Sequence, residues 1–266
     1  MSALLAVSSL AVSFHQYERG LRRRTVVPLS AMDLTADRGE LVALVGASGA
    51  GKTLLAHAVL GMLPPNAEES GDIRVDGEPL DPPARRARAG RGIALLPQSV
   101  TFLDPVTPVG RQLRRSAALA GRPDPRAAAA TALTDRGLSP EVAGRYPHEL
   151  SGGMVRRVLT AMAMMGSPDL VLADEPTPGL PAEAVRAVLH DLRRIADDGR
   201  AVVLITHDLP AALEVADRVV ICHDGRTIDE VRPADFTGNG EALSHPYTRA
   251  LWLALPANGF HLPEDS

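Results

Sequence analysis

The sequence predicts an α/β protein built on a parallel sheet that is buried on both faces. Its 266 residues are 45% apolar and 23% charged, which is a globular composition. Continuously apolar strands that alternate with helical stretches are typical of parallel sheets covered by helices on both sides. Five such apolar runs, each ending at turn residues, occur at 41–45, 93–96, 170–173, 201–205 and 219–222.

The first run leads through a glycine-rich turn into a helix that we expect over about 51–63. Two more polar segments, 4–14 and 73–75, are expected to form antiparallel strands on one side of the sheet. Because no Arg or Lys precedes Arg19, the amino-terminal segment lacks the cationic start of a secretory leader. We therefore expect it to be an edge strand of a cytosolic protein.

The pattern changes between Gln98 and Gly166, where no strand candidate occurs. Helical stretches are predicted there at 109–120, 126–136 and 151–165. This part of the chain is therefore expected to be a helical subdomain inserted into the α/β core. The basic, proline-containing segment 82–90 is expected to be a solvated loop.

Composition excludes several classes of function. The formal net charge of −4 gives no basic footprint for nucleic-acid binding. The single cysteine, Cys222, cannot form an internal disulfide, and no Cys/His cluster has the spacing of a zinc site. No apolar run approaches the ~18 residues of a membrane-spanning helix. These features indicate a reducing compartment and no transmembrane segment.

A phosphate-binding loop is predicted where the sequence reads GASGAGKT, because it fits the G-x-x-x-x-G-K-[ST] pattern between a strand and a helix. Glycines turn backbone N–H groups toward phosphates, and the helix amino terminus adds partial positive charge. Lys52, the only lysine among 28 basic residues, is expected at the β- and γ-phosphates, and the Thr53 hydroxyl at Mg²⁺. The nucleotide-binding residues are Gly46, Ala47, Ser48, Gly49, Ala50, Gly51, Lys52 and Thr53.

Two other strand ends carry residues that suit phosphate chemistry. Asp174 and Glu175 follow the run at 170–173, where the first acid is suited to Mg²⁺ and the second to orienting and deprotonating water. His207 follows the run at 201–205, where an imidazole would reach a phosphate or that water. Taken singly, the acid pair also fits an ordinary turn, and the histidine also fits a structural role.

A second helix start able to bind an anion occurs at Ser151, Gly152 and Gly153, immediately before a predicted helix. An ordinary helix cap is the alternative interpretation. The loop at 46–53 already accounts for the binding of one nucleotide. A second helix amino terminus that could bind a phosphate therefore requires a different explanation.

In this order, the motifs resemble those of the nucleotide-binding subunit of an ATP-binding cassette (ABC) transporter: the loop at 46–53, Gln98 at a strand end, LSGGM at 150–154, Asp174-Glu175 and His207. The resemblance implies a P-loop NTPase core with a parallel sheet, an antiparallel β subdomain and an inserted α-helical subdomain. It covers one domain, with the core at 1–97 and 167–240, the helical subdomain at 98–166 and a tail at 241–266.

The resemblance also implies ATP hydrolysis at sites shared by two subunits that pair head to tail. Ser151, Gly152 and Gly153 of one subunit then close over the γ-phosphate held by the other. Mg²⁺ would be bound by Thr53, Asp174 and Gln98. The catalytic residues would be Glu175, which activates water, together with His207 and Gln98.

Three segments resemble the oligopeptide, dipeptide and nickel importers in particular: 96–113, which contacts the permease in that group, 146–154, and the tail segment 244–251. This implies a peripheral protein on the cytoplasmic face of the cell membrane that couples ATP hydrolysis to uptake of peptides, nickel or metal–metallophore complexes. Its partners would be two permease subunits and an extracytoplasmic substrate-binding protein, with no nucleic acid. No iron–sulfur cluster is expected, because no cysteines follow the tail segment.

One position departs from the family's usual sequence, and one family residue is not identified by the motifs. Pro181 stands where the loop after Glu175 usually has an Asp, which indicates one weaker composite site and a different, paralogous partner subunit. The aromatic residue that stacks on adenine is expected to be Phe14, with Tyr17 as the alternative. Simple core packing is the other interpretation of Phe14.

Three alternatives belong to other classes of function. A soluble ABC-type ATPase that acts on nucleic acid or ribosomes commonly carries two cassettes or a long coiled-coil insertion. A small-molecule P-loop kinase does not need the LSGGM segment. A catalytically inert regulatory subunit is disfavoured by Lys52, Asp174, Glu175 and His207.

Overall fold

A computed structural model describes residues 3–17, 23–98 and 102–258 of the chain. Ten strands in this part form one mixed sheet in the order β5-β4-β1-β2-β10-β9-β3-β8-β7-β6. The strands are β1 (Leu5–Tyr17), β2 (Arg23–Ala36), β3 (Leu41–Gly46), β4 (Ala67–Val75), β5 (Glu78–Pro79), β6 (Ile93–Leu96), β7 (Leu170–Asp174), β8 (Ala201–Thr206), β9 (Arg218–His223) and β10 (Arg226–Val231).

The five predicted apolar runs form the parallel half of this sheet, β9-β3-β8-β7-β6. Every residue of β3, β7 and β8 is buried, as expected for strands covered by helices on both faces. Parallel strands end at the same edge of a sheet, so the residues that follow β3, β6, β7 and β8 are brought together there. The predicted α/β class is therefore confirmed.

The antiparallel half is formed by β5-β4-β1-β2 and joins the rest through a single bridge between Arg226 and Ala31. The amino-terminal segment is a strand, but the expectation of an edge strand is wrong: β1 pairs with β2 on one side and with β4 on the other. The polarity of a strand indicates whether a face is exposed, but it does not show whether both hydrogen-bonding edges are paired.

The helices are α1 (Lys52–Val59), α2 (Pro82–Arg88), α3 (Val109–Leu119), α4 (Pro125–Asp135), α5 (Gly152–Ala163), α6 (Ala182–Asp197), α7 (Leu209–Val215) and α8 (Pro246–Leu253). Between β6 and β7 the described elements are helical, and α3, α4 and α5 bury one apolar cluster that includes Leu113, Leu133 and Val158. No helix in the described part of the chain is long and apolar enough to cross a membrane.

Two expectations about local structure are corrected. Helix α1 ends at Val59 rather than near residue 63, because Gly61 turns the chain with φ of +65°. Segment 82–90 is not a solvated loop: Asp81 caps α2 by accepting from the Ala84 N–H at 2.8 Å. Arg85 of this helix is fully buried and pairs with Glu69 at 2.5 Å. The basic residues therefore fix a helix against the antiparallel strands.

Candidate functional site

The loop at 46–53 connects β3 to α1 and has the backbone that phosphate binding requires. Gly49 and Gly51 have φ of 85° and 89°, in the left-handed region that glycine enters without strain. A Cβ atom on Gly51 would lie 2.2 Å from Cδ2 of Leu29 and 3.1 Å from the carbonyl oxygen of Pro28. Only glycine fits at this position, which is the N-cap of α1.

Lys52 is 6% exposed, and its ammonium is fixed over the loop. Nζ donates to the carbonyl oxygens of Gly46 at 2.6 Å and Ala47 at 2.9 Å. The first N–H groups of an α-helix have no partner within the helix, so those of α1 are available to a ligand beside this ammonium. The loop thus combines a cation with a helix amino terminus, which is a site for an anion such as a phosphate.

Asp174, at the end of β7, lies against the start of α1. The Thr53 hydroxyl donates to Oδ1 of Asp174 at 3.1 Å. Burial raises the pKa of Asp174, and the hydrogen bond from Thr53 lowers it in part.

Thr53 and Asp174 suit Mg²⁺ because of the oxygen atoms that they offer as ligands. A hydroxyl and a carboxylate oxygen are hard ligands of the kind that Mg²⁺ takes. Among the described residues, no group of three or more His, Cys, Asp or Glu side chains could hold a metal ion. One or two protein oxygens beside a phosphate-binding loop match the way Mg²⁺ is bound together with nucleotide phosphates.

Glu175 follows Asp174 in a strained conformation, with φ of 43°, and is 8% exposed. Its N–H donates to the carbonyl of Ile205 on β8 at 2.9 Å. Its Oε1 lies 2.8 Å from Nδ1 of His207, whereas Oε2 is buried without a hydrogen-bond partner. A buried carboxylate with one oxygen fixed and one unpartnered is suited to accepting a proton from a bound water.

Many of the predicted residues line one cleft, and Asp174 and His207 adjoin it through their contacts with Thr53 and Glu175. The cleft is lined by the loop, by the exposed Gln98 that follows β6, and by Glu175. Sequence reasoning missed three further lining residues, Pro28, Leu54 and His57. His57 could have been found, because it lies four positions after Thr53 and therefore on the same face of α1. A protonated His57 lowers the pKa of Asp174.

The predicted signature residues lie outside this cleft. Ser151 caps α5 by accepting from the Met154 N–H at 3.3 Å, and both Ser151 and Gly152 are exposed. A Cβ on Gly152 would lie 3.3 Å from Cδ2 of Leu180, in the loop before α6. None of the residues that line the cleft, as far as the structure describes them, belongs to this helix tip.

Phe14, the predicted adenine platform, is partly buried and packs against the core of the antiparallel strands. It lies across from Val26 on β2 and Ala67 on β4. The side chain of the alternative, Tyr17, lies outside the described residues. Adenine stacking by either residue stays a prediction.

Comparison with protein families gives a match to the model described as "ABC transporter" over residues 29–178, which is more than half of the chain. The chain is 37% identical, over 96% of its length, to the glutathione import ATP-binding protein GsiA of Pectobacterium atrosepticum, but it spans only 42% of that relative. It is 33% identical, over 95% of its length, to the probable peptide ABC transporter ATP-binding protein y4tR of Sinorhizobium fredii, and spans 77% of it.

Solved structures have the same fold. The ATP-binding cassette MJ0796, a dimer bound to ADP and Pi, superimposes with a TM-score of 0.73 at 24% identity over 86% of this chain and 98% of that one. An ATP-binding subunit of an ABC transporter gives a TM-score of 0.68 at 27% identity over 88% and 91%. The chain therefore belongs to the ABC transporter family, and its fold is that of the family's ATP-binding domain.

Proposed function

We propose that the chain is the ATP-hydrolysing subunit of an importer and that its cargo is a peptide. The observation that carries this proposal is the meeting of Lys52, Thr53 and Glu175 in one cleft, with Asp174 hydrogen-bonded to Thr53. The peptide cargo is inferred from the relatives, which are named for import of glutathione or peptides. Nickel and metallophore complexes, the other cargoes expected from sequence, have no such support among these names.

Lys52 and the amino terminus of α1 would bind the phosphates. The ammonium now donates to two loop carbonyls, and phosphate oxygens are stronger acceptors for it because they are charged. Thr53, Asp174 and Gln98 would hold Mg²⁺, which supplies charge neutralisation to the phosphate oxygens when bound. Binding of the cation would also favour the ionised form of Asp174, which burial disfavours.

Glu175 would accept the proton of the attacking water on Oε2. Its other oxygen, Oε1, accepts a hydrogen bond when Nδ1 of His207 carries the proton. That bond holds the carboxylate in one orientation. His207 would thus orient the base, while Glu175 moves the proton.

The tip of α5 would act on a nucleotide held by a second subunit. Ser151 and Gly152 are exposed and lie outside the cleft of their own chain. The Ser151 oxygen already accepts from Met154, so its hydroxyl proton is free to donate to a phosphate. Head-to-tail pairing of two cassettes would bring this tip to the partner's γ-phosphate.

The second subunit would be a paralogue. Pro181 is the N-cap residue of α6 and offers neither a side-chain cap nor an N–H group. The Asp that the family usually has at this position is therefore missing from this chain's side of the interface. A paralogous partner that carries the Asp would supply it to one of the two composite sites.

Two exposed apolar side chains that follow Gln98 in the sequence would bind the permease and hold the subunit at the membrane. Phe102 is 64% and Val106 is 80% exposed. Their loop is attached to α3 by the side chain of Gln112, which donates to the carbonyls of Asp104 and Thr107 at 2.9 and 2.8 Å. Exposed apolar side chains on a fixed loop indicate a protein-binding surface.

Copurification with the permease tests this function. Phe102→Asp and Val106→Asp should each reduce recovery of permease subunits from membranes and leave ATP hydrolysis by the isolated chain unchanged. Leu119→Asp is the matched control, because Leu119 is 67% exposed at the far end of α3. Recovery of ribosomes or nucleic acid instead of permease would overturn the proposal in favour of a soluble ABC-type ATPase.

A further inference from the structure

A buried arginine connects α5 to the segment that carries Gln98. Arg156 is 6% exposed, on the side of α5 that faces the core. Its Nη1 donates to the carbonyl oxygen of Pro97 at 2.6 Å, and its Nη2 donates to the carbonyl oxygen of Gln98. The guanidinium therefore contacts two successive peptide carbonyls immediately after β6.

This arginine is not explained by packing or by charge pairing. Its neighbours on the buried side of α5 include Val155 and Leu159, so an apolar side chain would suit the same surface. In the described part of the chain Arg156 forms no ion pair with a carboxylate, and burial lowers its pKa. A buried cation is costly unless hydrogen bonds compensate, and here the two carbonyls satisfy Nη1 and Nη2, whereas Nε is buried without a partner.

Fixing these carbonyls fixes the direction of the chain at Gln98. Leu96 at the end of β6 pairs with Ala173 on β7, one residue before Asp174. Gln98 follows two residues later and lines the phosphate cleft. Both the strand pairing and Arg156 therefore constrain where the Gln98 amide enters the cleft.

We propose that Arg156 is a positioning residue that holds Gln98 for metal binding and joins this chain's own nucleotide site to the helix tip that serves the partner's site. Ser151 lies five residues before Arg156, which is about 7.5 Å along a helix axis. Arg156 is thus a direct polar contact between the helix that begins at this tip and the segment that carries Gln98. This inference rests on the function proposed above.

A double-mutant cycle between Arg156 and Gln98 tests the proposal. The probe is Mn²⁺ in place of Mg²⁺, whose affinity for the ATP-loaded protein is measured by electron paramagnetic resonance in a Glu175→Gln background that stops hydrolysis. Arg156→Met and Gln98→Ala should each weaken Mn²⁺ binding about tenfold, as loss of supporting residues around metal sites does. The double variant should bind Mn²⁺ no more weakly than the single variants, because both substitutions act on the same contact between Gln98 and the metal.

Three comparisons separate positioning from general damage. Arg156→Lys should restore part of the Mn²⁺ affinity, because an ammonium still donates to carbonyls, and it also serves if Arg156→Met does not fold. Arg85→Met is the matched control: Arg85 is fully buried but pairs with Glu69, so its loss should lower the melting temperature and leave Mn²⁺ affinity unchanged. ATP affinity without metal, measured by calorimetry, should stay the same in the Arg156 variants.

The outcomes distinguish two kinds of failure. If Gln98→Ala alone leaves Mn²⁺ affinity unchanged, the proposed metal role of Gln98 is wrong, and the role of Arg156 fails with it. If Gln98→Ala weakens binding but the effect of Arg156→Met adds to it in full, Arg156 does not act through Gln98. In that case only the positioning role is overturned.

Discussion

Replacing Glu175 by Gln removes the proposed base and almost nothing else. The two side chains have the same shape, and a Gln amide oxygen still accepts from Nδ1 of His207, which lies 2.8 Å from Oε1. The replacement also removes a buried charge whose second oxygen has no partner. The strained backbone at this position, with φ of 43°, is shared by both side chains.

Glu175→Gln should change the rate of ATP hydrolysis far more than it changes the stability of the fold. A positioned general base contributes about 10²–10⁴-fold to a rate, or ~3–5 kcal/mol of barrier. Losing the charge from the His207 hydrogen bond costs ~1 kcal/mol, and burying a neutral amide in place of a carboxylate offsets part of this cost. The melting temperature should therefore move by no more than about 2–4 °C.

Phosphate release at saturating Mg-ATP gives the rate, and calorimetry gives the ATP affinity and the melting temperature. We expect Glu175→Gln to bind ATP as the native chain does and to hydrolyse it at least a hundredfold more slowly. Glu183→Gln, in the first turn of α6, is the exposed acidic control. Hydrolysis by Glu175→Gln within threefold of the native rate would refute the role of this carboxylate.

Four other changes have defined outcomes. Gly51→Ala should abolish ATP binding and lower stability by at least ~1–2 kcal/mol, because its Cβ would lie 2.2 Å from Leu29; native ATP affinity by calorimetry would contradict this. Burial raises the pKa of Asp174, so stability falls as pH rises through that pKa; Asp174→Asn should raise the melting temperature at pH 7, with a gain that vanishes in acid. Pro181→Asp adds a helix cap and should leave assembled ATPase activity equal or higher; a large loss would contradict the interpretation of this loop. Burial raises the pKa of Cys222 to about 11, so maleimide should label the native chain at pH 7.5 no faster than it unfolds.

The parallel strands and the phosphate loop were predictable because their signals are local. The burial of a strand follows from its own apolar residues, and the conformation of the GASGAGKT segment between β3 and α1 follows from its own glycines. The meeting of Asp174, Glu175 and His207 also followed from local information, since parallel strands end at one edge of a sheet. Strand β2 was missed because Pro28 interrupts its pattern.

The contacts of two buried arginines with distant segments could not be predicted. Arg85 lies in a basic segment that was expected to be solvated, and its burial depends on Glu69, which is sixteen positions earlier on strand β4. The contact of Arg156 with the carbonyls of Pro97 and Gln98 spans nearly sixty positions and has no sequence signal, because any residue supplies a carbonyl. Such contacts are fixed by tertiary packing alone.

The most direct test is the structure of the Glu175→Gln chain trapped with Mg-ATP in the complex that it forms in cells, determined by electron cryo-microscopy. We expect Ser151 of this chain to lie within about 3 Å of the γ-phosphate of an ATP bound on the phosphate loop of a second subunit. An ATP-loaded single subunit, or a pair in which the α5 tip contacts no phosphate, would contradict the shared site on which the proposed function depends.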